Sequence, residues 1–140
     1  SQIMAVANGE ADIAIANTYY YGLMLSGKAG TDQLNAAKKV KMLFPNQNNR
    51  GTHVNISGAG ILKYSKNPKN AEIFLEFLLS TDVQKHIVNN TFEYPVIDKV
   101  SPSSFISQFG TTFIQDQTPA SNFGEYNSEA IKLMDRVGWK

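Results

Sequence analysis

At 140 residues, 42% of them hydrophobic and 18% charged, the chain is long enough to bury a core and too apolar for disorder. A formal charge of +1 with dispersed basic residues excludes a nucleic-acid surface, and the lack of cysteine removes disulfides, thiolate zinc, iron–sulfur clusters and cysteine nucleophiles. No apolar run reaches the roughly 18 residues of a membrane span, and the first residues lack the pattern of a secretion signal. The chain is therefore expected to be either cytosolic or without its beginning.

Residues 3–7 followed by Asn8-Gly9 read as the end of a helix that starts upstream of Ser1. The continuous apolar stretch 12–16 predicts a strand buried on both faces of an α/β sheet. Asn17 or Thr18 is placed to cap a helix over 19–25, which Ser26-Gly27 stops. Thr31 opens a short helix through Lys39, and 40–44 reads as a second strand ended by Pro45. Residues 46–52 are polar and form a loop. The alternation at 53–57 predicts a half-exposed strand, after which Gly58-Ala59-Gly60 allows a bend or close backbone approach, a place for a hinge.

Asn67-Pro68 starts a helix over 69–79 with a core stripe at Ile73, Phe74, Phe77 and Leu78. Thr81 and Gln84 have capping-box spacing for the next helix, which buries Val83, Ile87 and Val88. Glu93-Tyr94-Pro95-Val96 is extended, 101–127 is irregular and wraps a surface, and 128–137 closes as a helix. That last helix turns Ala130, Ile131, Met134 and Val137 inward and stops at Gly138.

The chemistry concentrates in Asn17-Thr18-Tyr19-Tyr20-Tyr21. Inside a strand, neighbouring side chains point to opposite faces, but in the first turn of a helix Tyr19 and Tyr20 can converge. Two phenolates offer hard, anionic oxygens to a small, highly charged cation, which points to Fe(III). A free phenol titrates near ~10, so a cation must displace its proton, and binding weakens on acidification. The partial positive charge of a helix N-terminus favours phenolate and can hold a small anion beside the metal. Tyrosines also serve in half-buried pocket walls with the hydroxyl on water or a carbonyl, and the pair by itself is compatible with that role.

Other candidates are weaker. His53 and His86 have no metal-spaced or catalytic companions and read as surface groups. Ser57-Gly58-Ala59-Gly60 lacks both the dinucleotide fingerprint and a phosphate-loop lysine, and Glu72, Glu76 and Asp82 occupy solvated helix positions. Lys38, Lys39 and Lys41 solvate a helix end near its negative pole.

The tyrosine run, Gly51-Thr-His-Val-Asn-Ile-Ser-Gly-Ala-Gly-Ile-Leu, the 71–80 helix, Glu93-Tyr-Pro-Val and the closing Met134-Asp-Arg-Val-Gly-Trp-Lys together resemble the C-terminal half of the periplasmic ferric-ion-binding proteins of bacterial ABC importers, a transferrin-like group. The resemblance implies an α/β, two-lobed periplasmic-binding-protein fold of type II, with this chain contributing to both lobes. Residues 1–50 would supply a second-lobe segment carrying the tyrosines, 51–62 a crossing strand, and 63–140 the return segment of the first lobe with the closing helices. It implies Tyr19 and Tyr20 as iron ligands, Asn17 as a contact to a synergistic anion such as carbonate or phosphate, and Tyr21 as packing. Further ligands would come from a missing N-terminal part of the same protein. The implied place is the periplasm, or a tether on the outer face of the cytoplasmic membrane, and the implied partner is an inner-membrane ABC permease. Self-association through uncovered apolar surface is expected of the piece alone. No catalysis is implied. A carrier of an oxoanion or small organic solute, with the tyrosines only lining the pocket, is the alternative.

Overall fold

The computed structural model describes residues 1–139. Its helices are α1 (Gln2–Ala7), α2 (Thr18–Leu25), α3 (Thr31–Ala37), α4 (Pro68–Leu78), α5 (Thr81–Thr91), α6 (Ser104–Ser107), α7 (Ala120–Glu125) and α8 (Asn127–Val137). The chain divides into two compact units, one made of Ser1–Phe44 and Asn55–Phe113, the other of Pro45–Val54 and the chain from Ile114 onward.

In the first unit α1, α2 and α3 meet around Ile3, Tyr21, Met24, Ala36 and Ala37, with Met4, Leu25, Val40, Met42 and Phe109 packed against them. Beside this core, Val88, Phe92 and Ile106 are fully enclosed. Phe92 ends α5 in the left-handed conformation at φ 62°, an unfavourable geometry for a bulky residue that is retained because its ring is buried. In the second unit Thr52 pairs with Gln115 through a parallel bridge, its N–H donating to Ile114 O at 2.8 Å while its own carbonyl accepts from Asp116 N at 2.9 Å. Gln47 fastens this crossing, accepting from Ile114 N at 2.8 Å and donating to Ile114 O at 3.0 Å. Gly51 is required there: it sits at φ 91°, and a Cβ would fall 2.6 Å from Gln115 C.

The helical expectations hold at α2, α3, α4, α5 and α8, including the left-handed stop at Gly138. The strand expectations do not. Apart from the Thr52–Gln115 bridge, no strand pairing occurs among the described residues. Residues 12–16 are not buried on both faces, since Ile13 is 84% and Ile15 79% exposed. A helix closes its hydrogen bonds within one segment, whereas a strand needs a neighbour at ladder distance, and none of 12–16, 40–44 or 53–57 has one here.

The core stripes are also corrected in part. Val88 of α5 is buried, but Ile73, Phe74 and Phe77 of α4 and Ile131, Met134 and Val137 of α8 lie exposed. Their spacing is amphipathic, yet among the described residues no element covers them. The region 101–127 is less irregular than expected, because α6 and α7 form within it. α1 covers Gln2–Ala7, with Ser1 Oγ accepting from Met4 N at 3.4 Å. Thr81 and Gln84 form no capping box: Ser80 is the cap, and the buried Gln84 side chain donates to Leu78 O at 2.9 Å and accepts from Val96 N at 3.0 Å. Gly58 and Gly60 face open space, so close backbone approach is not their role.

Candidate metal centre

The change from apolar stretch to helix occurs at Asn17, which holds an extended φ/ψ of −73°/142° and accepts from Tyr20 N through its carbonyl at 3.2 Å. Thr18, Tyr19 and Tyr20 form the first turn of α2, where the leading N–H groups of a helix have no partner within it. Tyr19 is half-buried and Tyr20 exposed, with ring centroids 4.4 Å apart and ring planes 49° apart. Neighbouring side chains thus converge, as the two phenols would have to do to share one ion. The Asn17 side chain does not cap the helix. Its Nδ2 donates to Tyr19 Oη at 3.1 Å, which orients that oxygen.

The electrostatics of the pair follow from this closeness. The Tyr20 phenol is held above its ordinary value first by hydrogen bonding with the Tyr19 hydroxyl, then by repulsion from Tyr19, and last by slight burial. Two phenolates side by side would repel each other, which is one reason the Tyr20 proton is held more firmly beside Tyr19. Among the described residues no group of three histidine, aspartate or glutamate side chains gathers elsewhere to hold a metal.

Tyr21 faces the other way. Successive helix positions are about 100° apart, which turns the third tyrosine roughly 200° from the first. It is 5% exposed, packs on Phe109 at 5.2 Å between centroids, and donates to Val40 O at 2.7 Å and Ala37 O at 3.1 Å. Burial pushes its phenol up. The sequence reading of Tyr21 as packing accounts for the ring but misses the hydroxyl, whose acceptors lie 16 and 19 positions away and leave no local signal.

His53 lies in the second unit with its ring edge on Phe123 at 5.2 Å, and His86 is exposed on α5. Glu93 accepts from Ser57 Oγ at 2.7 Å, an exposed contact without a metal-binding companion. An open groove of about 470 Å³ runs past Leu79, Ser80, Thr81 and residues 96–99, and neither tyrosine of the pair lines it.

Comparison with known proteins places these observations. Residues 3–85 match the model of the bacterial extracellular solute-binding protein family. The chain is 41% identical over its whole length to iron uptake protein A1 of Synechocystis, of which it covers 38%. It is 30% identical over 99% of its length to the major ferric iron-binding protein of Neisseria meningitidis serogroup B, covering 40% of that protein. Among solved structures, the Trichodesmium protein IdiA, or FutA, in complex with iron and citrate ligands superposes at a TM-score of 0.91 with 48% identity, over 99% of this chain and 43% of the other. The chain thus spans about two fifths of the length of its relatives. With a family model matched over more than half of its residues, the chain belongs to the bacterial extracellular solute-binding proteins.

Proposed function

We propose that this chain is the C-terminal, tyrosine-bearing part of the ferric-ion-binding component of a bacterial ABC importer, working in the periplasm and delivering its cargo to an inner-membrane permease. The observation that carries this reading is the convergence of Tyr19 and Tyr20 in the first turn of α2, with the Asn17 amide on Tyr19 Oη. The functions of the relatives, iron uptake and ferric iron binding, support it. Within it, residues 1–50 contribute to the second lobe, 51–62 cross, and 63–140 supply the return segment of the first lobe and the closing helices.

On this reading Fe(III) is cargo. Each phenol gives up its proton as the ion arrives, and the hard trivalent ion is preferred by phenolate oxygen. Reduction to Fe(II) weakens that preference and assists release. A synergistic anion completes the shell, its place beside Asn17 and the leading N–H groups of α2; the Trichodesmium relative binds citrate with its iron, and carbonate or phosphate would serve the same chemistry. Remaining ligands come from the part of the polypeptide that precedes these residues. Carriage involves no covalent change in the cargo.

The test is the visible phenolate-to-iron charge-transfer band of the complete ferric-loaded polypeptide. The band is expected in the parent and absent in Tyr19→Phe/Tyr20→Phe. A double variant that binds Fe(III) with the parental band overturns the assignment, and a parent that binds an oxoanion or organic solute but no Fe(III) supports the pocket-wall role instead.

A further inference from the structure

We propose that Tyr21, together with Gly22, is a positioning device for the phenol pair: its hydroxyl clamps α2 onto the end of α3 and so sets where Tyr19 and Tyr20 aim. The inference rests on the ferric reading above and concerns what holds its ligands in place. Tyr20 is 53% exposed and its ring contact is with Tyr19, so the location of both phenols is inherited from the α2 backbone. That backbone is fixed from its opposite side. The Tyr21 hydroxyl reaches two carbonyls, Ala37 O on the last residue of α3 and Val40 O just beyond it. One turn of chain later, Met24 is 3% exposed in the same core. Gly22 lets α2 settle against the neighbouring layer, since a Cβ there would lie 2.8 Å from both Ile106 Cδ1 and Phe92 Cβ. The hydroxyl spent on carbonyls is unavailable to a metal, which divides three consecutive tyrosines into two that grip and one that aims.

The experiment uses the complete ferric-loaded polypeptide and reads three quantities: the charge-transfer maximum, the half-time of iron loss to excess citrate, and the unfolding midpoint of the iron-free form. Tyr21→Phe keeps the ring against Phe109 and removes only the hydroxyl. It is expected to retain the band, because both ligands remain, but with a shifted maximum and iron loss about tenfold faster, the size of effect typical when a group supporting metal ligands is removed. Gly22→Ala, which displaces α2 with every hydroxyl intact, is expected to give the same signature. Gln84→Met, whose contacts are with Leu78 and Val96, lowers the midpoint and leaves band and release rate at parental values.

Parental band and release rate in Tyr21→Phe overturn the proposal. So does loss of the band as complete as that in Tyr19→Phe, which would make Tyr21 a ligand, and so does equal acceleration by Gln84→Met, which would reduce the effect to general stability. If Gly22→Ala does not fold, the Tyr21→Phe result decides. The parent reading fails separately, through an unchanged band in Tyr19→Phe/Tyr20→Phe.

Discussion

Proton competition offers the sharpest quantitative check on the phenol pair. The Tyr20 phenol is held above its ordinary value by its neighbour Tyr19. On the proposed function both phenol protons leave for each ion captured, so below pH ~9 the logarithm of apparent affinity should fall by about two for each unit of acidification from this pair alone, about a hundredfold. The sign follows from that reading: protons and iron compete, and acid should favour release. Substituting one phenol removes one proton from the balance. Fe(III) transfer between the complete polypeptide and a chelator of known proton stoichiometry, followed from pH 5 to 8, measures the slope. Tyr20→Phe should lower it by about one and Tyr19→Phe/Tyr20→Phe by about two. A double variant with the parental slope would show that neither phenol loses a proton on loading and would refute the ligand assignment, whatever its effect on affinity.

Four further outcomes are expected. Gly51→Ala places a Cβ against Gln115 C and Ile114 O at a positive φ, and should destabilise the second unit by about 3 kcal/mol in denaturant titration; a change below about 0.5 kcal/mol would contradict the crossing geometry. Gln84→Met leaves Leu78 O and Val96 N without their buried partner, and a loss of about 2 kcal/mol in the same assay is expected. Burial raises the Tyr21 and Tyr94 phenols, so the stability they contribute is intact below about pH 10, the unfolded value, and is lost as pH rises through the higher folded values. Unfolding free energies between pH 8 and 11 should therefore fall at the alkaline end, less steeply in Tyr21→Phe. The chain on its own should associate through α4, and Phe74→Ser/Phe77→Ser should shift sedimentation toward monomer; a monomeric parent at high concentration would rule this out.

What could be read along the chain follows the reach of each interaction. Helices were legible because caps, glycine stops and 3.6-residue periodicity act within a few residues: α2 starts where Asn17 and Thr18 said it would, and α8 stops at Gly138. Strands were over-read, since an apolar run such as 12–16 states a preference that only a hydrogen-bonding neighbour can satisfy. The exposure of Phe74 and Phe77 has the same origin: a stripe declares that a face needs covering without supplying the cover.

The tyrosine pair was visible in the sequence as adjacent phenols at a helix start, because convergence within one turn is a local matter. Its supports were not. Tyr21 Oη on Val40 O, Gln84 on Val96 N and Gln47 on Ile114 join residues 19, 12 and 67 positions apart, distances over which spacing carries no signal. The sequence alone thus determined where helices begin and which hydroxyls stand together, both being consequences of neighbouring residues. Which of three identical side chains turns outward to solvent and which is spent on a distant carbonyl was decided only by the packing of α2 on α3 and α6, because burial is a property of the assembled fold.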